Sequence, residues 1–190
     1  MGVHDDAEAV RATDAAAWRA WLEEHHATST GVWLLRPRAG VALQLVGYDD
    51  AVRQALCFGW IDGTVKPRDA ETVGQWYSPR RPGSGWAATN KARVADLEAS
   101  GEMTDAGRRV IAAAKASGAW SLLDGPEAGI EPPELTAALD AVPAARAQWD
   151  AFPASARKMG LTAVAMARRP ETKTARVAKI VADAAEGKRP

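Results

Sequence analysis

Tyr48-Asp-Asp-Ala-Val-Arg-Gln-Ala-Leu-Cys-Phe-Gly-Trp-Ile-Asp-Gly-Thr-Val65 changes period in the middle, and that change sets the fold class. Asp49 and Asp50 sit where a first helical turn favours acids. Val52, Ala55 and Leu56 make one helical face, and Gly59 is the residue type that ends a helix. Trp60 to Val65 then reads as a strand. Val73 to Ser78 reads as a second strand, stopped by Pro79.

Upstream, Gly31-Val-Trp-Leu-Leu35 is a further strand, closed by Pro37. Val41, Leu43 and Leu45 recur at every second position, which predicts a short strand within 38–47. Thr13 is the expected cap of a helix from about Asp14 to His26, with Trp18, Trp21, Leu22 and His25 on one face. Residues 1–12 read as a loose acidic arm. Downstream the pattern is helical. Ala88–Ala99 carries Ala92, Val94 and Leu97 on one side. Thr104 caps a helix to Ser117 with Val110, Ile111 and Ala114 inside. The residues 121–133 hold Gly125, Pro126, Gly129, Pro132 and Pro133, a loop or linker composition. From 134 to 190 all signals are helical, with Pro153 and Pro170 suited to helix starts and Val177, Ile180, Val181 and Ala184 as a buried stripe.

The expected architecture is therefore α+β. An arm (1–12) precedes an α+β core (13–120) with a small antiparallel sheet packed by helices. A linker (121–133) leads to a helical C-terminal segment (134–190) packed on that core.

Composition limits function. The 190 residues carry 24 basic and 24 acidic side chains, so the formal net charge is zero. A general nucleic-acid coat or a polybasic membrane anchor needs a cationic excess. One cysteine, Cys57, excludes an intrachain disulfide and a multi-cysteine zinc site. No stretch has the roughly 18 apolar residues of a membrane span. The start of the chain is acidic, which predicts a cytoplasmic protein rather than an exported one. No metal and no cofactor is expected. G-x-S-x-G, H-E-x-x-H, P-loop and G-x-G-x-x-G motifs are all missing. Cys57 reads as a small buried hydrophobe. Tryptophan supplies eight of the twelve aromatics, and most of the eight are expected in the core.

Two features carry chemistry. Asp62 lies in a strand, where aspartate is disfavoured unless it makes a turn with Gly63 or pairs with arginine. Arg80 and Arg81, between Tyr77 and Trp86, suit carboxylate or phosphate recognition. A helix starts close behind, with Asn90 and Lys91 in its first turn. Trp60, Asp62, Tyr77, Arg80, Arg81, Trp86, Asn90 and Lys91 are the candidate site for an anionic small molecule or protein partner. The competing reading is an Asp–Arg ion pair that only staples two strands. Separately, residues 151–190 hold nine basic side chains against three acidic ones. That bias marks either an anionic partner or a solvated or self-docking face.

Several motifs resemble the YdeI/OmpD-associated family of bacteriocin-protection proteins. They are Tyr48–Gly63, Tyr77-Ser-Pro-Arg-Arg-Pro-Gly-Ser-Gly-Trp-Ala-Ala-Thr-Asn-Lys91, Gly101-Glu-Met-Thr-Asp-Ala-Gly107 and Arg169-Pro-Glu-Thr-Lys-Thr-Ala-Arg176. The resemblance runs from about Ala17 to Gly187. Ser84-Gly85-Trp86-Ala87 departs from it by lacking a second serine, and Arg168 and Lys173 exchange the usual lysine and arginine places. The resemblance implies a stress or antimicrobial-protection role. Three functions follow: anionic-ligand binding in such a protein, an enzyme with Asp62 as acid/base and Arg80 or Arg81 holding substrate, and nucleic-acid binding through the basic tail.

Overall fold

The runs at 32–37, 60–67 and 72–79 meet in one sheet. The computed structural model describes residues 7–190, so residues 1–6 of the acidic arm lie outside it. The chain divides into two units, residues up to Ser84 with Thr89–Ala116, and Gly85–Ala88 with Ser117–Pro190.

The first unit holds β1 (Ala9–Val10), α1 (Ala15–His25), β2 (Val32–Pro37), α2 (Tyr48–Cys57), β3 (Trp60–Pro67), β4 (Thr72–Pro79), nearly all of α3 (Ala88–Ala99), and α4 (Asp105–Ala116). The sheet order is β1-β2-β4-β3. β2 and β3 both pair antiparallel with β4. The arm is not wholly loose, because Ala9 and Val10 pair parallel with Trp33 and Leu34.

Register assigns the two faces, since directly opposed residues share a side. Val32, Leu34 and Arg36 lie with Tyr77, Gln75 and Val73, and Asp62 stands opposite Tyr77. Helix α1 covers this face. The Trp18 and Tyr77 rings are 5.4 Å apart, and Trp21 meets Trp60 edge-on at 5.8 Å. Trp18 also donates from Nε1 to the Ala51 carbonyl at 3.1 Å, which ties α1 to α2. On the other face Trp33 packs against Trp76 at 5.2 Å, with the Arg68 guanidinium 4.4 Å above the Trp33 ring.

Three local expectations are corrected. The cap of α1 is Asp14, whose Oδ1 accepts from the Ala17 amide at 2.8 Å, rather than Thr13. Residues 38–47 form no strand. Val41, Leu43 and Leu45 are half-buried, as alternation predicts, but their amides bond only to Arg38, Val41 and Leu43. The pattern is present and a partner strand is not. Ala92 is exposed, and Val94 and Leu97 alone bury the face of α3.

The second unit holds α5 (Asp124–Glu127), α6 (Pro133–Asp140), α7 (Pro143–Ala151), α8 (Ala154–Ala165) and α9 (Pro170–Ala185). The residues 121–133 thus include one helical turn, closed by Glu127 and Ala128 amides on the Leu123 and Asp124 carbonyls, both at 2.9 Å. Proline stands in the first turn of α6, α7 and α9, where its missing N–H costs nothing. Leu135, Leu139, Trp149, Leu161, Val164, Val177 and Ile180 form the core of this unit.

Glu131 is fastened to that core. Its carboxylate accepts from Arg146 at 2.7 and 2.8 Å and from Trp149 Nε1 at 2.8 Å. Arg146 first, then Trp149, holds the carboxyl below its ordinary range. A folded-state value below the unfolded one stabilises above the unfolded value of about 4.3, and the gain is lost as pH falls through the depressed value. Glu131→Gln should therefore melt below the wild type at pH 7, and the gap should narrow as pH falls below the unfolded value of about 4.3 in thermal melts.

Candidate functional site

The polar side chains of the covered sheet face gather around Arg36. Its Nη2 donates to Gln75 Oε1 at 2.9 Å, and its guanidinium lies 5.1 Å from the centre of the Tyr48 ring. The register of β3 slips between Asp62 and Val65, a bulge at Gly63 and Thr64. Gln75 Nε2 fills the gap in the ladder by donating to the Gly63 carbonyl at 2.7 Å. Tyr48, at the first position of α2, donates its hydroxyl to Asp62 Oδ2 at 3.0 Å. On the α3 side, Arg93 donates to Asp49 Oδ1 at 2.7 and 3.0 Å and to Asn90 Oδ1 at 2.9 Å.

Two donors in this cluster are buried and have no hydrogen-bond partner, Arg36 Nε and Tyr77 Oη. Tyr77 is 0% exposed. Burial, and then the charge of Asp62, pushes its phenol well above the ordinary value, partly offset by Arg36. Tyr48 is raised for the same two reasons, burial first. Both phenols therefore stay protonated at neutral pH and act as donors. Burial draws the Arg80 guanidinium down to about 10, with Asp62 opposing the shift, so Arg80 keeps its charge at neutral pH.

The structure brings Asp62 and Tyr77 together across β3 and β4, with Arg80 within the field of Asp62. Asn90 joins through Arg93. The remaining sequence candidates stand elsewhere. Trp60 is 1% exposed and spends its Nε1 on the His26 carbonyl at 3.2 Å, so its role is in the core. Arg81 is exposed, and Lys91 is half-buried on α3. Trp86 belongs to the second unit, where it is buried and packs on Trp120 at 4.9 Å. Cys57 is wholly buried, and burial raises its thiol. The residues that sequence reasoning missed are Tyr48, Arg36, Gln75 and Arg93. One signal was present: Arg36 and Gln75 interrupt apolar strands, where an uncompensated polar side chain is costly. Among the described residues no group of three or more His, Cys, Asp or Glu is placed to hold a metal. No described helix is long and apolar enough to cross a membrane.

Residues 10–110 match the family model of a domain of unknown function (DUF8412). The chain belongs to this family. The whole Arg36–Tyr48–Asp62–Gln75–Tyr77–Arg93 cluster falls inside the DUF8412 match. Residues 129–187 match a second model, that of the bacteriocin-protection, YdeI or OmpD-associated family. That segment includes the Arg169–Arg176 motif, whereas the motifs at 48–63 and 77–91 lie in the DUF8412 part. Comparison with curated proteins and with solved structures returned no match.

Proposed function

We propose that the DUF8412 unit binds a small oxyanion or carboxylate, and that the chain acts in the cytoplasm in protection against bacteriocins or related antimicrobial stress. One observation carries the binding reading. Arg36 Nε and Tyr77 Oη are buried donors without an acceptor, and a buried unsatisfied donor costs about 1–3 kcal/mol. An oxygen-bearing ligand that accepts from them removes that cost on binding. Asp62 and the Tyr48 hydroxyl stand beside them and supply selectivity against ligands that bring a second negative charge close. Tyrosines held protonated suit binding better than proton transfer, which favours a binding domain over an enzyme with Asp62 as its base. The protective role is supported by the family description matched at 129–187. A buried free cysteine fits a reducing compartment.

Tyr77→Phe tests the reading. It deletes the unsatisfied hydroxyl and keeps the ring that packs on Trp18, so stability should hold or rise by about 1 kcal/mol. Inorganic phosphate, acetate and citrate should be titrated against wild type in thermal melts. A ligand at 100 times its Kd stabilises by about 2.7 kcal/mol. The productive anion should raise the wild-type melting temperature and leave Tyr77→Phe unmoved. The variant should also fail to restore survival of bacteriocin-challenged cells. A Tyr77→Phe protein that melts well below wild type and keeps its anion response would make the hydroxyl structural and sink the proposal.

A further inference from the structure

The second unit contains a cavity of about 350 Å³ that is separate in chemistry from the polar cluster of the first. Its apolar wall includes Leu122, Pro126, Ile130, Pro132, Leu161 and Val164. Ile130 is 63% exposed at a position where a large aliphatic side chain gains nothing from solvent. The volume lies within the range of small-molecule sites.

Several polar groups of the wall are already engaged. Proline supplies no N–H at 126, 132 and 133. The carbonyl of Gly125 accepts from the Ile130 amide at 2.9 Å, and that of Pro126 from Gly129 at 3.2 Å. The Pro132 carbonyl accepts from Leu135 and Thr136 at 2.9 and 3.1 Å. Glu131 is consumed by Arg146 and Trp149. Lys173 is the remaining polar side chain on the lining. Its ammonium pairs with Glu134 and has three donors, so it has capacity for a further acceptor. The next residues along the chain from the lining residue Ala167 are Arg168 and Arg169, both exposed. On an otherwise apolar lining, spare donor capacity is therefore placed at Lys173.

We infer that this cavity binds a single-chain anionic amphiphile of the medium-chain carboxylate class, with the alkyl chain against Ile130, Leu161 and Val164 and the carboxylate at Lys173. The apolar wall selects the chain by area removed from water. The lysine selects the sign of the head group. The proline-rich rim holds the wall in shape before the ligand arrives, which lowers the ordering cost of binding.

The test is calorimetric titration of the full-length chain with monomeric sodium decanoate, 1-decanol and decyltrimethylammonium. Decanoate should bind saturably at one site, 1-decanol about tenfold more weakly, and decyltrimethylammonium weakest of the three. Ala165→Trp, which fills the cavity from a lining position, should weaken decanoate at least tenfold. Ile130→Asp sits at an exposed position that folding does not depend on, and should weaken decanoate by a similar factor. Lys173→Met should bring decanoate down to the 1-decanol level and leave 1-decanol unchanged. Four results overturn the inference: no saturable decanoate binding, binding unchanged in both Ala165→Trp and Ile130→Asp, preference for the cationic amphiphile, or decanoate affinity unchanged in Lys173→Met.

Discussion

Replacing Trp149 with alanine should remove about 3–5 kcal/mol of stability, a large share of the total for a chain of this size. The indole is 0% exposed and sits at the centre of the α6–α9 core. Gly160 of α8 approaches it so closely that a Cβ there would lie 2.9 Å from the ring. Phe152 meets it edge-on at 6.4 Å. Truncation leaves a void that the helices packed around it close only in part. It also removes the Nε1 donor from Glu131, so a half-buried carboxylate loses one of its partners. Trp149→Phe keeps most of the bulk and loses the donor, and should cost about 1–3 kcal/mol. Denaturant titrations followed by far-UV circular dichroism separate the two terms. A Trp149→Ala loss below about 1 kcal/mol would show that the core relaxes around the void, against the packing described above.

The second large effect is expected at Gly107. A Cβ on this residue of α4 would stand 2.4 Å from the Cys57 carbonyl oxygen and 2.5 Å from Met103 Sδ. The first neighbour is backbone, held by the Thr104 hydroxyl, which donates to the same Cys57 oxygen at 2.5 Å. It cannot swing aside as a flexible side chain can. Alanine gains about 0.5–1 kcal/mol of helix propensity over glycine, and the forced separation of α4 from the end of α2 costs about 1–3 kcal/mol or more. Gly107→Ala should therefore be destabilising despite its better propensity. Gly47→Ala, with nothing within 4 Å of the new Cβ and an ordinary φ of −69°, serves as the control and should stay within about 0.5 kcal/mol of wild type. Equal melting temperatures for the two variants would contradict the close approach.

The elements that sequence made legible are those whose signals are local. Strands of β-branched and aromatic residues at 32–37, 60–67 and 72–79, prolines at helix starts, and the caps around Thr104 need no knowledge of distant partners. Where the outcome depends on a partner, the reading fell short. Alternation at Val41, Leu43 and Leu45 marked the side chains that become half-buried, yet no strand was available to complete a ladder. Ala9 and Val10 became a strand because β2 presented an edge, not through propensity. The candidate site shows the same division. Asp62 was visible as an aspartate out of place in a strand, and Tyr77 as its neighbour. Arg36 and Gln75 are 39 residues apart and meet only because β2 pairs with β4. The Arg80–Arg81 pair looked like a fork for an anion. Past the end of β4 the two part company, with Arg80 buried and Arg81 exposed, which adjacency in sequence does not reveal.

The short excursion of Gly85–Ala88 into the second unit bears on how the chain is made. Trp86 packs on Trp120, Gly85 lies against Leu123, and the Ala88 amide donates to Glu127 at 2.7 Å. All of these partners are synthesised later. At about 5–20 residues per second, the ribosome delivers Glu127 roughly 2–8 s after Trp86. During that interval the sheet is already complete in sequence through β4, while an indole destined for burial has nothing to pack on. A message truncated anywhere between codons 90 and 120 would release a protein bearing that exposed ring, a surface of the kind that holding chaperones and quality-control proteases recognise.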